Sequence, residues 1–224
     1  MSSNHDIAAL IDTAFREFVG EPRFPCLAGK GVVRASGYAL GVYGRLGSDE
    51  STRALACDLA NFVADISEAD ASLRAFVAVF PDAVTPDEME FERQLWRQLE
   101  RLRESDPSNA EWDHGVSDDP EDAHFSFSHG GRALFVVGMH ATSSRLSRRF
   151  QWPAMVFNPR AQFERLRATG KFEKLRSAVR EREIALQGSL NPNLADFGEQ
   201  SEARQYSGRE VAKGWKCPFH PPSR

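Results

Sequence analysis

The sequence predicts an α+β fold, with an antiparallel or mixed sheet of about five strands flanked by helices. Short apolar runs typical of buried strands alternate with stretches whose apolar residues recur at helical spacing. Two of the predicted strands are separated only by Gly130-Gly131, which is typical of a hairpin turn. Residues 187–224 show little periodicity yet carry large apolar side chains. We therefore expect one domain over residues 1–224, with 187–224 as an ordered irregular tail wrapped over it.

Composition excludes several classes of protein. The chain has 224 residues, of which 41% are hydrophobic and 27% charged, and a net charge of −4, so we expect a soluble protein without a general nucleic-acid surface. No apolar run approaches 18 residues, and the N-terminus lacks a basic region followed by an apolar one, so we expect neither a membrane span nor a secretory signal. The cysteines (Cys26, Cys57 and Cys217) are odd in number and widely spaced, which favours the reducing cytoplasm over a disulfide framework. The phosphate-loop, dinucleotide-binding and α/β-hydrolase motifs are all missing.

In the N-terminal half, helices follow from apolar residues at every third or fourth position, and strands from apolar runs bounded by glycine or proline. The predicted elements are a helix over 5–19, a compact loop over 24–30, a strand over 32–42, a helix over 51–66, a strand over 73–80 and a helix over 85–103. Gly37 and Gly41 are predicted to be bulges or points of close backbone approach. Thr85 and Glu88 predict a capping box at the start of the last of these helices.

In the C-terminal half, an acidic loop over 106–122 precedes the hairpin. The predicted elements are a strand over 124–129, its antiparallel partner over 132–137, a strand over 152–157, a helix from Asn158-Pro159 to Gly170 and a helix over 171–185. The hairpin places His129 beside Arg132 and brings His124 within reach of the far end of the partner strand, near His140.

The stretch 134–150 holds the first candidate functional residues. His140 follows a buried strand, and Thr142 to Ser144 suit a helix N-cap. Arg145, Arg148 and Arg149 would share one face of that helix. One interpretation is an imidazole that ligates a metal or haem, or holds an anion, beside guanidinium groups. The other is a hydrogen-bonded core histidine beside a solvated arginine face.

A thiol and the polar tail add further candidates. Cys26 lies in the compact loop near Lys30, which would lower the pKa of the thiol unless Cys26 is a buried structural residue. In the tail, large apolar side chains predict anchoring to the domain. Its polar residues would then line a pocket or satisfy the backbone of the tail itself. The pocket candidates are Asn191, Glu199, Glu202, Tyr206 and Arg209.

Several motifs together resemble the YqcI/YcgG family. They are Phe24-Pro25-Cys26 with Lys30, Gly138-Met139-His140, Ser143-Ser144-Arg145, Val156-Phe157-Asn158-Pro159, Gln187-Gly188-Ser189-Leu190-Asn191-Pro192, Phe197-Gly198-Glu199, residues 201–209 and Trp215-Lys216-Cys217-Pro218-Phe219. These segments span nearly the whole chain. Characterised members of the family are haem-dependent N-oxygenases that hydroxylate a guanidine nitrogen of arginine-like substrates.

The resemblance implies haem b as cofactor, and the chemistry of haem assigns roles to the candidates. His140 is the first choice of axial ligand, His129 and His124 are imidazole alternatives, and Cys217 or Cys26 would give a thiolate. Arg145, Arg148 and Arg149 would pair with the haem propionates. Glu199 and Glu202 would hold the substrate guanidinium. Arg209 would bind a substrate carboxylate, with Tyr206 and Asn191 as further substrate-binding residues.

Two other functions stay open at this point. One is a non-catalytic haem or small-molecule binding or sensor protein, and the other is a haem-free protein in which His140 is structural. An oxygenase of this length needs an external electron donor, because the sequence contains no obvious donor domain. The oligomeric state is also open, and a homodimer is one option.

Overall fold

The computed structural model describes residues 4–67 and 72–220, and within them a sheet is covered by helices. The helices are α1 (Asn4–Gly20), α2 (Leu27–Arg34), α3 (Asp49–Ala64), α4 (Glu88–Glu104), α5 (Arg160–Ala168), α6 (Lys171–Gln187) and α7 (Ala203–Tyr206), with one 3-10 turn at Leu146–Arg148. The strands are β1 (Tyr38–Val42), β2 (Ala75–Val79), β3 (Phe127–His129), β4 (Arg132–Met139) and β5 (Ala154–Pro159).

The five strands form one mixed sheet, in the order β1-β2-β5-β4-β3. Strands β1 and β2 are parallel, and the other neighbours are antiparallel. A parallel pair needs a crossover, which α3 provides. The predicted α+β fold is therefore confirmed, and the sheet is of the mixed kind.

Helices cover both faces of this sheet. On one face, Leu55 of α3 and Leu95 of α4 pack with Val136 and Phe157. On the other, Ile11 and Phe15 of α1 pack in a second core, to which strand residues such as Val77, Met139 and Val156 belong. Neighbouring strand residues such as Val156 and Phe157 thus serve opposite cores, as the alternation of side chains along a strand requires.

The strand predicted over 32–42 is wrong in its first half, because α2 occupies residues 27–34. The β-branched pair Val32-Val33 favours a strand, but Cys26 caps a helix: its Sγ accepts a hydrogen bond from the Gly29 N–H at 3.3 Å. The strand begins only at Tyr38. The close approach predicted at Gly37 is confirmed, since a Cβ there would lie 2.7 Å from the Leu73 carbonyl oxygen.

Two predicted helix starts are also wrong. Helix α4 begins at Glu88, with the Asp87 carboxylate accepting from the Glu90 N–H at 2.8 Å, so Asp87 replaces Thr85 as the cap. After Thr142 the chain forms a single 3-10 turn, whose preceding residue makes no side-chain cap. Because the turn spans only three residues, Arg145, Arg148 and Arg149 do not share a helix face, as they were predicted to.

The predicted hairpin is confirmed in its turn and its register. Gly130 and Gly131 have φ values of +58° and +73°, and His129 pairs with Arg132. Pairing starts only at Phe127, however, so His124 is not on the strand. Its exposed ring packs edge-on against Phe197, which makes the predicted approach of His124 to His140 wrong.

The C-terminal tail is irregular apart from α7 and lies over the domain, as predicted. Tyr206 and Phe219 are almost fully enclosed, and Trp215 packs against Trp96 of α4. The predicted domain reaches residue 224, but residues 1–3, 68–71 and 221–224 lie outside the described residues. Across 4–67 and 72–220, no helix combines the length and apolar character needed to cross a bilayer.

Candidate functional site

A group of polar side chains lies where the start of α2, the end of β4, the 3-10 turn and α6 come together. It consists of Cys26, His140, Arg145, Arg148 and Glu183 and is called the polar cluster below. The His140 N–H donates to the Arg148 carbonyl at 3.0 Å. The charges of Arg148 and Glu183 both act on the Cys26 thiol. Four elements that are distant in sequence thus supply one compact set of ionisable groups.

His140 is completely enclosed, as its interpretation as a core histidine predicts. Its ring stacks on Phe91 of α4 with centroids 4.2 Å apart. Nδ1 lies 3.0 Å from the Thr142 hydroxyl, whereas Nε2 is buried and has no hydrogen-bond partner among the described residues. Burial lowers the pKa of His140 to about 4, which keeps the imidazole neutral at physiological pH.

Arg145 is held by Glu183 of α6. Its guanidinium donates to Glu183 Oε1 at 2.6 and 3.2 Å, and to the hydroxyl and carbonyl of Ser189 at 3.2 and 2.8 Å. Both side chains of the ion pair are only 9% exposed. The positive charge of Arg145 is therefore neutralised inside the protein.

Arg148 is different, because its guanidinium donates only to backbone carbonyls. These belong to Gly138 at 3.0 Å, Gln205 at 3.3 Å and Tyr206 at 3.4 Å. No carboxylate of the described residues lies within ion-pair distance of it, and burial lowers its pKa to about 10. Arg149 is exposed and donates to the Ser143 carbonyl at 2.9 Å. Among the three arginines, Arg145 alone has a carboxylate partner.

Gly138 lets the tail reach this region. A Cβ at this position would lie 2.8 Å from the Tyr206 carbonyl oxygen and 2.7 Å from side-chain atoms of Phe91 and Leu95. The tail backbone therefore packs directly on β4, one residue before Met139 and two before His140. The Arg148 guanidinium stabilises this contact, because it donates both to the Gly138 carbonyl of β4 and to the Tyr206 carbonyl of the tail.

Of the two interpretations of Cys26, activation by Lys30 is wrong and the structural residue is the one that the geometry favours. The Lys30 ammonium donates to the Glu21 and Pro22 carbonyls at 2.5 and 3.3 Å. Burial raises the pKa of the Cys26 thiol, and Lys30 is not among the groups that act on it. Cys26 is therefore a neutral thiol that caps α2 beside Arg148.

Glu202 and Tyr206 belong to a second, fully buried network. The Glu202 carboxylate accepts from Ser126 at 2.6 Å, Tyr206 at 2.7 Å and Arg160 at 2.8 Å. The Tyr206 hydroxyl in turn accepts from the Phe127 N–H at 3.0 Å. These contacts join the tail to β3 and α5.

The other tail candidates are held by local or structural partners. Arg209 pairs with Glu92 of α4 at 2.5 Å, and the Asn191 side chain accepts from the Asn193 N–H at 3.0 Å. Glu199 is exposed and accepts from the Asp196 N–H at 3.0 Å. Their predicted roles toward substrate stay predictions.

The alternative ligands lie among other neighbours. His129 is enclosed, with Nε2 3.1 Å from the Ala56 carbonyl and Nδ1 3.7 Å from Asp106. Cys217 packs in the core that contains Trp96 and Phe219, and burial raises the pKa of its thiol. A cavity of about 430 Å³ borders Cys217 and is lined by acidic residues such as Asp118 and Glu121. None of the residues lining this cavity belongs to the polar cluster.

Sequence reasoning missed Glu183 and Arg160. Both are buried ionic residues on helices rich in exposed charges, and nothing in their spacing distinguishes them from their neighbours. A weak signal existed for Arg160, because it follows Asn158-Pro159 directly at the end of a buried strand.

Comparison with known proteins assigns the chain to a family. The sequence model of the YqcI/YcgG family matches residues 15–220, so the protein belongs to this family. A curated relative from Bacillus subtilis (strain 168), named "Uncharacterized protein YqcI", is 26% identical over 212 residues. The alignment covers 89% of this chain and 81% of the relative. No solved structure gives a significant match.

Five of the motifs that carry the family resemblance meet at the polar cluster, whereas Trp215-Lys216-Cys217-Pro218-Phe219 packs in the core that contains Trp96. Phe24-Pro25-Cys26 supplies the thiol, Gly138-Met139-His140 the imidazole and Ser143-Ser144-Arg145 a guanidinium. Gln187 and Ser189 bond to Leu146 and Arg145, and the carbonyls of Gln205 and Tyr206 accept from Arg148. This convergence makes the polar cluster the best candidate for the functional site.

Proposed function

We propose that the protein is a haem-dependent N-oxygenase that hydroxylates a guanidino or amino nitrogen of an arginine-like small molecule. Membership of the YqcI/YcgG family supports this proposal. The observation that carries it is the buried Nε2 of His140, which has no partner among the described residues. A buried nitrogen without a hydrogen bond is costly and needs an explanation, of which a bound group is one. Nδ1 of the alternative ligand His129 shares this feature, but the motif Gly138-Met139-His140 favours His140.

The residues of the polar cluster suit a haem in their chemistry. Iron binds the neutral imidazole, and the low pKa of His140 maintains that form. The other ring nitrogen has a partner in Thr142, as metal-ligating histidines usually do. His140 would hold the iron, and Arg148, which has no carboxylate partner among the described residues, would hold a propionate. Arg145 is less suited because Glu183 already neutralises it.

The reaction balances only with an external reductant. One atom of O₂ enters the N–H bond of the substrate to give N–OH, and the other leaves as water, which takes up two electrons and two protons. Bound haem would supply O₂ binding and activation. A one-electron carrier protein would supply the electrons.

The substrate guanidinium needs carboxylates. Glu202 is committed to Arg160 and two hydroxyl groups, so it would bind substrate only if that network rearranged. Glu199 accepts one backbone hydrogen bond and is exposed, which leaves its carboxylate free for a cation. Glu199 adjoins the loop that carries His124, since the Gly198 N–H donates to the Ala123 carbonyl, and no contact joins it to the polar cluster among the described residues. The roles of Glu199 and Glu202 toward substrate therefore stay predictions.

Access to His140 requires that a neighbouring element move, because the ring has no exposed surface. Helix α6 is the best candidate. It packs on the 3-10 turn next to His140, and Glu183 is its only buried residue among those described.

An absorption spectrum tests the proposal. We expect protein produced with a haem precursor to show a Soret band, and His140→Ala to lose or shift it because the axial ligand is gone. His114→Ala is the matched control, since His114 is exposed and is not among the candidate ligands. A band that survives His140→Ala but changes in Cys26→Ala or Cys217→Ala would move the ligand to that thiolate. No band in any variant would reject the haem proposal.

Turnover separates an oxygenase from a sensor. With O₂ and a chemical reductant, the haem-loaded protein should convert a guanidino compound into its N-hydroxy product, detected by mass spectrometry. A stable ferrous–oxygen complex without product across guanidino and amino compounds would favour the non-catalytic alternative.

A further inference from the structure

We propose that Thr142 is a positioning residue that fixes the tautomer of His140, placing the proton on Nδ1 and leaving the lone pair on Nε2. This inference rests on the proposed role of His140 as an iron ligand, and it names the group that prepares the ligand. The juxtaposition of the Thr142 hydroxyl, the His140 ring and the Thr85 carbonyl carries it.

The Thr142 hydroxyl lies between two partners. Its oxygen is 3.0 Å from His140 Nδ1 and 3.4 Å from the Thr85 carbonyl oxygen. A hydroxyl has one proton to donate and lone pairs with which to accept. A carbonyl can only accept, and Thr142 is exposed, so its proton is directed either to the Thr85 carbonyl, at a distance that is long for an O–H···O bond, or to solvent. The oxygen of Thr142 must then accept from Nδ1–H, and Nε2 carries the lone pair.

The opposite arrangement costs more. If Thr142 donated to Nδ1 instead, the proton of the neutral ring would sit on Nε2, which is buried without a partner among the described residues. Buried N–H groups without an acceptor are rarer in proteins than under-satisfied acceptors. The contact with Thr85 would also be lost. The geometry therefore favours the Nδ1–H tautomer.

The ring is fixed in orientation as well as in tautomer. Phe91 stacks on it with an interplanar angle of 24°, which defines the plane of the imidazole. The charged groups that act on the ring are Glu88 and Asp87 from the start of α4 and Arg148 from the 3-10 turn. None of them replaces Thr142 as a hydrogen-bond partner of Nδ1. Phe91 and Thr142 thus present the Nε2 lone pair in a defined direction.

Nitrogen-15 NMR of the haem-free protein tests the tautomer directly, because protonated and unprotonated ring nitrogens have distinct chemical shifts. We expect the His140 ring of the wild type to be protonated at Nδ1. Thr142→Val keeps the shape but removes the hydroxyl, and should shift the population toward Nε2–H. Thr142→Ser restores the hydroxyl and should restore the wild-type signal. Two results would overturn the proposal: protonation of the wild-type ring at Nε2, or a Thr142→Val spectrum identical to that of the wild type.

A second measurement uses the haem-loaded protein. Removal of an outer hydrogen-bond partner typically costs about 10- to 100-fold in metal affinity. We expect Thr142→Val to release haem to a competing apoprotein about tenfold faster, with a shifted iron–imidazole stretching frequency, and Thr142→Ser to match the wild type. Equal release rates would contradict the positioning role. If no variant bound haem, the proposed function would fail, while the NMR experiment would still decide the tautomer.

Discussion

At the scale of single residues, Glu202 shows how the tail is fastened to the sheet. Its side chain is only 5% exposed, and its carboxylate accepts hydrogen bonds from Ser126, Arg160 and Tyr206. The guanidinium of Arg160 also lies over the ring of Phe197. A buried charge pair of this kind contributes little against an apolar replacement, but loss of one partner leaves the other charge buried and uncompensated.

Glu202→Gln should therefore destabilise the protein strongly. The substitution keeps the size but removes the charge opposite Arg160, so we expect the free energy of unfolding to fall by about 3 kcal/mol. Urea denaturation at pH 7 measures it. Glu199→Gln is the matched control on the same segment, and its exposed side chain should change the value by less than about 0.5 kcal/mol. Equal losses of unfolding free energy in the two variants would show that the buried network around Glu202 does not stabilise the protein more than an exposed carboxylate does.

The sequence predicted the position of His140 better than its surroundings. The interpretation of His140 as a core histidine requires an enclosed ring, and the ring is enclosed. Its neighbours Phe91 and Thr85 come from a segment about 50 residues away, and only the tertiary fold places them there. Glu183 could not be predicted, because α6 is rich in charged residues and a buried carboxylate depends on the long-range contact with Arg145.

At the scale of elements, the helical hairpin formed by α5 and α6 is unusual in how it is attached. Its buried residues are Arg160, Gln162 and Glu183, all of them polar. Each bonds to the body of the protein: Arg160 to Glu202, Gln162 to the Arg74 N–H and Glu183 to Arg145. Apolar side chains of the hairpin, including Phe163, Leu166, Leu175 and Val179, are only partly covered. Few buried apolar contacts make an element easier to open.

Glu183→Gln should therefore loosen α6 selectively. Loss of the charge opposite Arg145 weakens the contact at the only buried position of this helix within the described chain. We expect amide hydrogen exchange over 171–187 to become about tenfold faster, while α3 stays unchanged. Hydrogen–deuterium exchange with mass spectrometry measures both.

Glu181→Gln is the control for this experiment, because Glu181 lies on the same helix and is exposed. It should exchange as the wild type does. Equal acceleration by the two substitutions, or no acceleration by either, would contradict the view that the ion pair with Arg145 holds the helix.

Element prediction succeeded where one periodicity dominates. Helices α1, α3, α4 and α6 and the hairpin follow directly from their apolar spacing and turn residues. Helix α2 was missed because Val32-Val33 favours a strand, while the cap that starts the helix comes from a cysteine, which is an uncommon cap. A helix was predicted after Thr142–Ser144 because this run resembles an N-cap, but only a 3-10 turn follows it.

At the scale of the whole molecule, the sheet separates two apolar cores, and the polar cluster lies where chain segments from both sides meet. His140 stacks on α4, which belongs to one core, and follows Met139, which belongs to the other. Burial lowers the pKa of His140 to about 4 and also lowers that of His129. Both histidines are fully enclosed, so the folded haem-free protein keeps them neutral in weak acid.

The two buried histidines predict that the free energy of unfolding falls with pH even at pH values above those at which carboxylates titrate. Below about pH 6.5 the unfolded chain binds a proton at each of these histidines and the folded protein does not, so stability falls as pH falls. For His140 the loss proceeds down to about pH 4 and amounts to about 3 kcal/mol at most. Between about pH 6.5 and 5, few carboxylates contribute, because their ordinary pKa values lie near 4.

Urea denaturation of the haem-free protein across this pH range measures the slope. His140→Gln should make it shallower, because one of the two buried titrating groups is gone and only His129 still contributes. His129→Gln should likewise make it shallower, because burial also lowers the pKa of His129. If His140→Gln left the slope unchanged, the imidazole would be accepting protons freely in the folded state. That result would be incompatible with the enclosed neutral ring on which the proposed iron ligation depends.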